Sequence, residues 1–459
     1  MLLLAQELDI PAVPDFRGLL EYFRRRTAEL LPRGVVPLRF VVTVSDASGF
    51  QCEVGVFRDL PESICTTPSS IFDFSRRLRE NSGAFNVALL VPTGIGSEIG
   101  GHAGDAGPVA CLLGACCDTL VTHPNVVNAS DINEMPANAL YVEGSVICRL
   151  LMGTVGLERV RSNRVGVVIN THKDAFFVNA AINSVNAARA SYGLRCPQII
   201  ELETPVKLSA RYTSSGAAAG RVEALDGLCA VLADNTNRFD AVALTSVIDV
   251  PHEYHMAYFQ SQGSMVNPWG GVEAMLTHAV SSLFEIPSAH SPMLESRDIA
   301  DMDAGVVDAR MAAEAVSTTF LQCTLKGLQR SPKIVTDPNA MQRSSVLTAA
   351  DVSCLVIPDG CLGLPTLAAF EQGIPVIAVA ENRNVMRNNL SALPWAPDQF
   401  HCVENYWEAA GLITAMRAGI APESVRRPLQ QVFVAKQTQP SSATTPEVQL
   451  PHATTEQPV

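Results

Sequence analysis

Short apolar runs alternate with helix-period segments along most of the chain after residue 83. The runs are four to eight residues long and end in Gly, Pro, His or another turn-forming residue, a pattern that predicts buried strands. Between two of them, Asp174 is predicted to cap the start of a helix that Gly193 ends. Alternating buried strands and helices favour parallel sheets covered on both faces, so the predicted fold class is α/β.

The hydrophobic pattern gives a set of elements and a division of the chain into four parts. Strands are predicted at residues 35–44, 51–57, 86–91, 119–122, 164–170, 198–202, 240–248, 352–357 and 375–380. Helices are predicted at 15–31, 106–117, 174–193, 222–233, 271–284, 308–329 and 365–372. The four parts are a small N-terminal α+β extension (1–82), a Rossmann-like unit with a glycine-rich loop (83–265), a second Rossmann-like unit (266–432), and a tail (433–459) predicted to be disordered because it is rich in Pro, Thr, Ser and Gln.

Composition narrows the class of protein. The 459 residues are 47% hydrophobic and carry a net charge of −13, which disfavours a nucleic-acid or anionic-membrane surface. We see no apolar run long enough to cross a membrane and no signal peptide. The twelve cysteines lie mostly in apolar runs without a CxxC motif, which favours reduced core residues. These features predict a cytoplasmic or plastid stromal location.

The segment from Pro92 to Pro108 leaves a predicted strand, enters a helix, and holds five glycines within eleven residues. Such a run permits positive φ angles and close approach of a ligand to backbone N–H groups at a helix start, so it predicts an anion site. The spacing does not match the dinucleotide fingerprint, and there is no Walker lysine. A long structural turn is the alternative. The candidate ligand-binding residues of this loop are Thr93, Gly94, Gly96, Gly100, Gly101 and Gly104. Its candidate catalytic residues are His102 as an acid–base group and Asp105 as an orienting group.

Polar residues follow several other predicted strands. His123 and His172, two candidate acid–base groups, each come just after a strand, as do His252 and the candidate ligand-binding residue Asp359. Ligands of open parallel sheets bind beyond the carboxyl ends of strands. A loop rich in amide and carboxylate groups follows His123; it contains Asn125 and Asn128 as candidate ligand-binding residues and Asp131 as a candidate orienting group. Each of these side chains could instead simply bond loop backbone.

Two more segments carry weaker candidates. Gly270, Gly271 and Glu273 lie at the start of a predicted helix, where they would bind a ligand or merely form the helix entry. His252 and His255 are spaced i, i+3, which does not match the helical zinc motif, so no metal ligand is assigned.

The segment from Ile357 to Val379 has the order strand, glycine loop, helix, strand. It resembles the donor-nucleotide subdomain of two-Rossmann glycosyltransferases, over about 50 residues. That resemblance implies ligand binding by Gly360, Gly363 and Glu371. Cys361 in the loop could be a nucleophile activated by the helix start, with plain packing as the alternative.

A second resemblance covers more of the chain. The segments 100–105 (GGHAGD), 122–131 (THPNVVNASD) and 141–145 (YVEGS) are similar to a family of unknown function found mainly in cyanobacteria and algae, and the similarity spans residues 1–430. It implies a protein of photosynthetic lineages and supplies no activity.

Together these features predict a metabolic enzyme. It would bind a phosphorylated or nucleotide-linked small molecule between the two Rossmann-like units and transfer a group by histidine acid–base catalysis. An NAD(P)-dependent oxidoreductase and a non-catalytic metabolite-binding or assembly protein are the alternatives. The cofactor is not identified, and the candidates are a nucleotide and NAD(P). The expected partner is a small-molecule substrate, without nucleic acid or membrane, and a homo-oligomer stays open.

Overall fold

The computed structural model describes residues 1–13, 15–61, 70–78, 83–317, 319–432 and 434. The strands are β1 (Leu2–Pro11), β2 (Val36–Asp46), β3 (Gly49–Arg58), β4 (Asn86–Leu89), β5 (Thr119–Thr122), β6 (Asn128–Ala129), β7 (Ile132–Asn133), β8 (Ala139–Tyr141), β9 (Gly156–Glu158), β10 (Val165–Ile169), β11 (Ile199–Glu201), β12 (Lys207–Tyr212), β13 (Ala218–Glu223), β14 (Ala241–Asp249), β15 (Ser288–Met293), β16 (Lys333–Val335), β17 (Val346–Leu347), β18 (Val352–Pro358), β19 (Leu362–Gly363), β20 (Val376–Val379) and β21 (Phe400–Val403). The helices are α1 (Leu19–Leu30), α2 (Gly107–Ala115), α3 (Pro124–Val127), α4 (Gly144–Leu151), α5 (Ala175–Tyr192), α6 (Leu225–Asn235), α7 (His252–Gln260), α8 (Gly270–Phe284), α9 (Arg297–Ala300), α10 (Ala312–Ala315), α11 (Leu321–Gln329), α12 (Leu364–Gln372) and α13 (Tyr406–Arg417).

Six short apolar strands form an all-parallel sheet in the order β21-β20-β18-β4-β5-β8. If these six strands are numbered 1 to 6 in chain order, their order across the sheet is 6-5-4-1-2-3. The order in which strands are added to the sheet therefore reverses between β4 and β18. Successive residues of these strands point to opposite faces and enter two different apolar clusters: Ala88 packs in one, and Val87 and Leu89 pack in the other. This two-sided burial explains why the strands read as continuous apolar runs.

A second, larger sheet has the order β11-β10-β14-β12-β13-β1-β3-β2-β19, and β15 pairs with β14. Its part around β10, β11, β14 and β15 is parallel, whereas β13, β1, β3 and β2 form an antiparallel run. The apolar cluster that covers one face of the six-stranded sheet also takes residues from β10, β14 and β15, so it lies between the two sheets. β2 reaches the six-stranded sheet through β19, which directly follows β18 in the chain.

The α/β class is confirmed, since helices and several parallel strand pairs make up the structure. The helix after Asp174 is confirmed: the Asp174 side chain accepts a hydrogen bond from Phe176 N, and Gly193 ends α5 with a φ of 71°. The helix predicted at 308–329 is wrong, because the chain there forms α10 and α11 with Phe320 between them at a φ of +47°. The antiparallel strands β1, β12 and β13 were not predicted.

The six-stranded sheet takes its strands from 86–141 and from 352–403, and the N-terminal strands β1 to β3 extend the larger sheet. The domain limits at residues 82 and 265 stay a prediction. The predicted tail, 433–459, lies outside the described residues except for Val434. Among the helices that the structure describes, none has both the length and the apolar character to cross a membrane.

Candidate functional site

A cavity of about 480 Å³ opens where the carboxyl ends of β4 and β18 meet. Leu90 and Pro92, which follow β4, and Cys361 and Leu362, which follow β18, form part of its wall. Further parts of the wall come from the starts of α4, α8 and α12, from β2, from the ends of β14 and β15, and from residues of α7, α9, α10 and α11. A cavity of this size holds a small organic molecule, and this edge of a parallel sheet is where such ligands bind.

Glu143 and His278 form a buried pair in the cavity wall. Glu143 follows β8 and caps α4, where its carboxylate accepts hydrogen bonds from Ser145 N at 2.8 Å and Val146 N at 3.1 Å, and from the Ser145 hydroxyl. His278 Nε2, from α8, lies 3.1 Å from Glu143 Oε2. Burial raises the pKa of Glu143 to about 7, and burial together with the nearby Arg39 charge lowers the pKa of His278 to about 3. The pair is therefore poised to give up or accept one proton near neutral pH, because the carboxyl group titrates there.

His123 lies in the same wall, beside this pair. Its Nε2 accepts a hydrogen bond from the backbone N–H of Val91 at 3.0 Å, which ties the start of the β5–α3 loop to the end of β4. Burial, with a smaller effect of His278, lowers the pKa of His123 to about 3. The ring is therefore neutral, with its hydrogen on Nδ1. A catalytic role for His123 stays a prediction, with only the Nδ1 side of the ring available for it.

A second carboxylate–histidine pair stands on the side of the cavity that the larger sheet forms. Glu273, in the first turn of α8, accepts from His290 Nδ1 at 2.8 Å, and His290 Nε2 lies 2.7 Å from the Ser246 hydroxyl. Glu273 and His290 line the cavity, whereas Ser246 lies behind them on β14 and is buried. The Ser246 hydroxyl therefore fixes the orientation of the imidazole, and the carboxylate is the group that faces a ligand.

Two arginines from distant parts of the chain complete the polar wall. Arg39, on β2, donates through Nη2 to the buried Glu53 at 2.5 Å. Arg149, in α4, donates through Nη2 to both carboxylate oxygens of Glu285, at 2.7 and 2.8 Å. Both guanidinium groups are largely buried and line the cavity.

The glycine-rich loop reaches the cavity through Thr93, Gly94 and Gly101. Many of its backbone N–H groups have protein acceptors: Gly100 N donates to Asp105 Oδ1 at 2.8 Å, and Ala103 N donates to Glu314 Oε1 at 2.5 Å. Gly96, Gly100 and Gly104 pack where a Cβ would overlap Val266, Val91 and Ala129, respectively. The structure thus gives these glycines a packing reason, and anion binding by the loop stays a prediction.

Behind this loop lies a buried cluster of titratable groups. His102 Nδ1 is 2.6 Å from the Tyr258 hydroxyl, and Asn267 Nδ2 donates to both Tyr258 and Glu314. Burial raises the pKa of Asp105 and of Glu314 to about 7 in each case. Only Glu314 and Asn267 of this cluster reach the cavity wall.

The other predicted residues separate into two groups. In the cavity wall are Thr93, Gly94, Gly101, His123, Asn125, Asn128, Gly270, Glu273 and Gly363. Outside it are Gly96, Gly100, His102, Gly104, Asp105, Asp131, His172, Gly271, Asp359, Gly360 and Glu371.

The outlying candidates have bonding partners in the protein. Asp131 accepts hydrogen bonds from Gln322 N and the Thr319 hydroxyl, and so fixes the start of α11. His172 contacts the Asp174 and Leu294 carbonyl groups. The Asp359 carboxylate accepts from the N–H of Gly360, the next residue. The Asn125 amide, though in the wall, bonds the carbonyl groups of Val91 and Gly100.

Sequence reasoning missed Glu143, His278, His290, Arg39 and Arg149. A glutamate between a buried strand and a helix start was the available signal for Glu143. His278 and His290 stand in apolar segments, where a histidine is more often a satisfied core residue. Among the described residues no group of three or more His, Cys, Asp or Glu is placed to hold a metal ion, which includes the surroundings of His252 and His255. Burial raises the pKa of the Cys361 thiol, which disfavours the thiolate that a nucleophile needs.

The fold and the cavity define an α/β protein with a cavity, lined by buried titratable groups, at the edge of a parallel sheet. Residues 86–426 match the family described as Protein of unknown function (DUF3326), and the chain belongs to that family. The chain is also 31% identical to an uncharacterized lipoprotein of Synechococcus sp. over 340 residues, which cover 73% of this chain and 92% of that protein. No solved structure matches the chain.

These comparisons confirm the resemblance to an uncharacterised family of cyanobacteria. They also correct one prediction. A cytoplasmic or stromal location was inferred from the reduced cysteines and the opening residues, but the Synechococcus relative is named as a lipoprotein, so that location is wrong. Cysteine placement in a large core says little about compartment, because buried thiols pack like small apolar side chains in any compartment.

Proposed function

We propose that this protein is an enzyme that transfers a group to or from an anionic small molecule by acid–base catalysis in the cavity between the two sheets. Glu143, whose pKa lies near 7, is the acid–base group, and His278, whose lowered pKa keeps its ring neutral, positions the Glu143 carboxyl group through the contact of its Nε2. The buried Glu143–His278 pair in the cavity wall is the observation that carries this proposal. A carboxyl group that titrates near the working pH is the most effective proton donor and acceptor.

The position of the cavity supports the same conclusion. The strand order 6-5-4-1-2-3 is the order of a doubly wound Rossmann-like sheet, and the cavity opens beside the point where that order reverses. We include two Rossmann-like units in the proposal, the second built on β10, β11, β14 and β15. Glu273, oriented by His290, lines the same cavity from this second unit and would accept a proton or hold a substrate hydroxyl group.

A ligand screen followed by kinetics tests the proposal. The full chain is titrated with phosphorylated sugars, nucleotides, nucleotide sugars, NAD(P) and small carboxylic acids, and the unfolding temperature is recorded. Any ligand that raises it is then assayed for turnover with the wild type, Glu143→Gln, and the exposed control Glu203→Gln. We expect Glu143→Gln to keep binding and to lose about 10²- to 10⁴-fold in kcat. Equal turnover in the wild type and Glu143→Gln would refute the assignment.

A further inference from the structure

We propose that Arg39 and Arg149 form a subsite for a carboxylate group of the ligand, at the part of the cavity next to Glu143. The inference rests on the proposed function for the reaction that follows binding, but the binding itself does not depend on turnover. It names the chemical class of the ligand, a monoanionic carboxylic acid with an apolar body.

The two guanidinium groups are incompletely bonded within the protein. About 13% of each side chain is exposed, and each has one carboxylate partner, Glu53 or Glu285. Arg39 Nε and Arg149 Nη1 are buried and have no acceptor among the residues that the structure describes. Those two atoms have almost no exposed surface and so do not themselves reach the cavity. Both side chains do line the cavity, where an oxyanion would accept charge-assisted hydrogen bonds from the exposed part of each guanidinium group.

Arg39 and Arg149 are far apart in the sequence, and the fold brings both of them to the cavity wall. Arg39 reaches the cavity because β2 pairs with β19 immediately after the central strand β18. Arg149 reaches it from α4, the helix that Glu143 caps. One oxyanion bound here would therefore lie beside the acid–base pair. The positive charges of Arg39 and Arg149 act electrostatically on His278 and Glu143, respectively, which places them within interaction range of the pair.

The charge balance favours a carboxylate over a phosphate monoester. Glu53 and Glu285 already offset the two guanidinium charges, and the wall also contains the carboxyl groups of Glu143, Glu273 and Glu314. A phosphate monoester would bring a charge of about −1.5 to −2 into this set, whereas a carboxylate brings −1. Arginine donors suit both oxyanions, so the surrounding acidic groups decide between them.

The cavity wall also contains apolar side chains. They include Leu38, Ile71, Ile248, Met293, Leu294 and Trp269. Burying a hydrocarbon or aromatic body against these side chains contributes about 25 cal/mol for each Å² removed from water. The ligand is therefore expected to carry its charge at one end only.

Binding of a simple probe tests the subsite. The full chain is titrated by calorimetry with 3-phenylpropionate, with the uncharged amide 3-phenylpropionamide, and with inorganic phosphate. We expect the carboxylate to bind, and the amide and phosphate to bind at least about tenfold more weakly, since a hydrogen bond to a charged group contributes about 1.5–3 kcal/mol. No binding of the carboxylate, or tighter binding of phosphate, overturns the proposal.

Variants locate the binding. The single variants Arg149→Gln and Arg39→Gln would leave Glu285 and the buried Glu53 without their partners. The double variants Arg149→Gln/Glu285→Gln and Arg39→Gln/Glu53→Gln avoid these unpaired carboxylates and are used as well. Each should weaken carboxylate binding by about 10- to 100-fold. Unchanged affinity in both double variants would refute the subsite. The surface variant Arg24→Gln is the control.

The two proposals fail in different ways. Glu143→Gln should still bind the carboxylate. If it does, and no carboxylic acid is turned over by the wild type, the subsite stands and the catalytic proposal fails. If turnover depends on Glu143 but carboxylate binding does not depend on either arginine, the catalytic proposal stands and the subsite fails.

Discussion

Glu143→Gln should change the dependence of stability on pH, even before a substrate is known. The substitution keeps the shape of the side chain and removes its ionisation. Glu143 has a pKa of about 7 in the folded protein against an ordinary value of 4.5, because burial disfavours the carboxylate form. That difference corresponds to about 3 kcal/mol in favour of the protonated form, to order of magnitude.

The sign of the effect follows from proton binding. Between pH 4.5 and 7 the folded protein holds a proton on Glu143 that the unfolded chain has released, so this residue makes the free energy of unfolding fall as the pH rises. Above pH 7 both states are ionised and the decrease stops. Glu143→Gln lacks this contribution. Relative to the wild type, the variant should therefore gain stability between pH 5 and pH 8, by up to about 3 kcal/mol.

Urea unfolding of the two proteins at several pH values between 5 and 8.5 measures this gain. The quantity compared is how the difference in free energy of unfolding between the two proteins changes with pH. A loss of stability from weaker capping of α4 that is the same at every pH does not affect this quantity. Glu203→Gln, on the exposed surface, is the control substitution. A difference between the wild type and Glu143→Gln that does not change with pH would refute the argument that burial holds Glu143 protonated.

Two further substitutions test the packing around the cavity. His123→Ala removes the acceptor of the buried Val91 N–H, which should lower the free energy of unfolding by about 1–3 kcal/mol in urea titrations at pH 7.5. The pKa of His123 in the folded protein is lowered to about 3, so its contribution to stability is lost as the pH falls from 6.5 toward 3. The loss of stability in acid should therefore be shallower in His123→Ala than in the wild type. An identical acid profile in the two proteins would contradict this. Gly271→Ala places a methyl group onto the Ala218 carbonyl oxygen and should destabilise the protein severely. The control Gly107→Ala, at another helix start with open space around it, should be neutral or slightly stabilising. Similar unfolding midpoints for the two variants would refute the packing argument.

The sequence pattern was sufficient to predict the elements that depend only on residues close to them in the chain. The strand at 352–357, the helix at 365–372 and the cap at Asp174 follow from apolar runs, Pro at a helix start and a capping carboxylate, and all three are present. The helix predicted at 308–329 failed because Phe320 adopts a positive φ that no periodicity reveals.

The site was harder to predict because long-range pairing builds it. Arg39 belongs to the predicted N-terminal extension and reaches the cavity only through the pairing of β2 with β19. His278 lies in an apolar helix, and its role depends on Glu143, which is remote in the sequence. The glycine-rich loop could be recognised from the sequence, but its role could not. Its many glycines suggested ligand binding, and the structure shows that close packing also accounts for them.

The central strand pair of the six-stranded sheet has a consequence for synthesis of the chain. β4 ends at Leu89 and must wait for β18, which begins at Val352, before its second edge is covered. At a translation rate of about 5–20 residues per second, that wait is on the order of 10 to 50 seconds. During this time an apolar strand has an open edge, the kind of surface on which nascent chains aggregate. A ribosome-bound chain that stops before β18 should therefore need chaperone protection, and the acid–base cavity exists only once both halves of the sheet have left the ribosome.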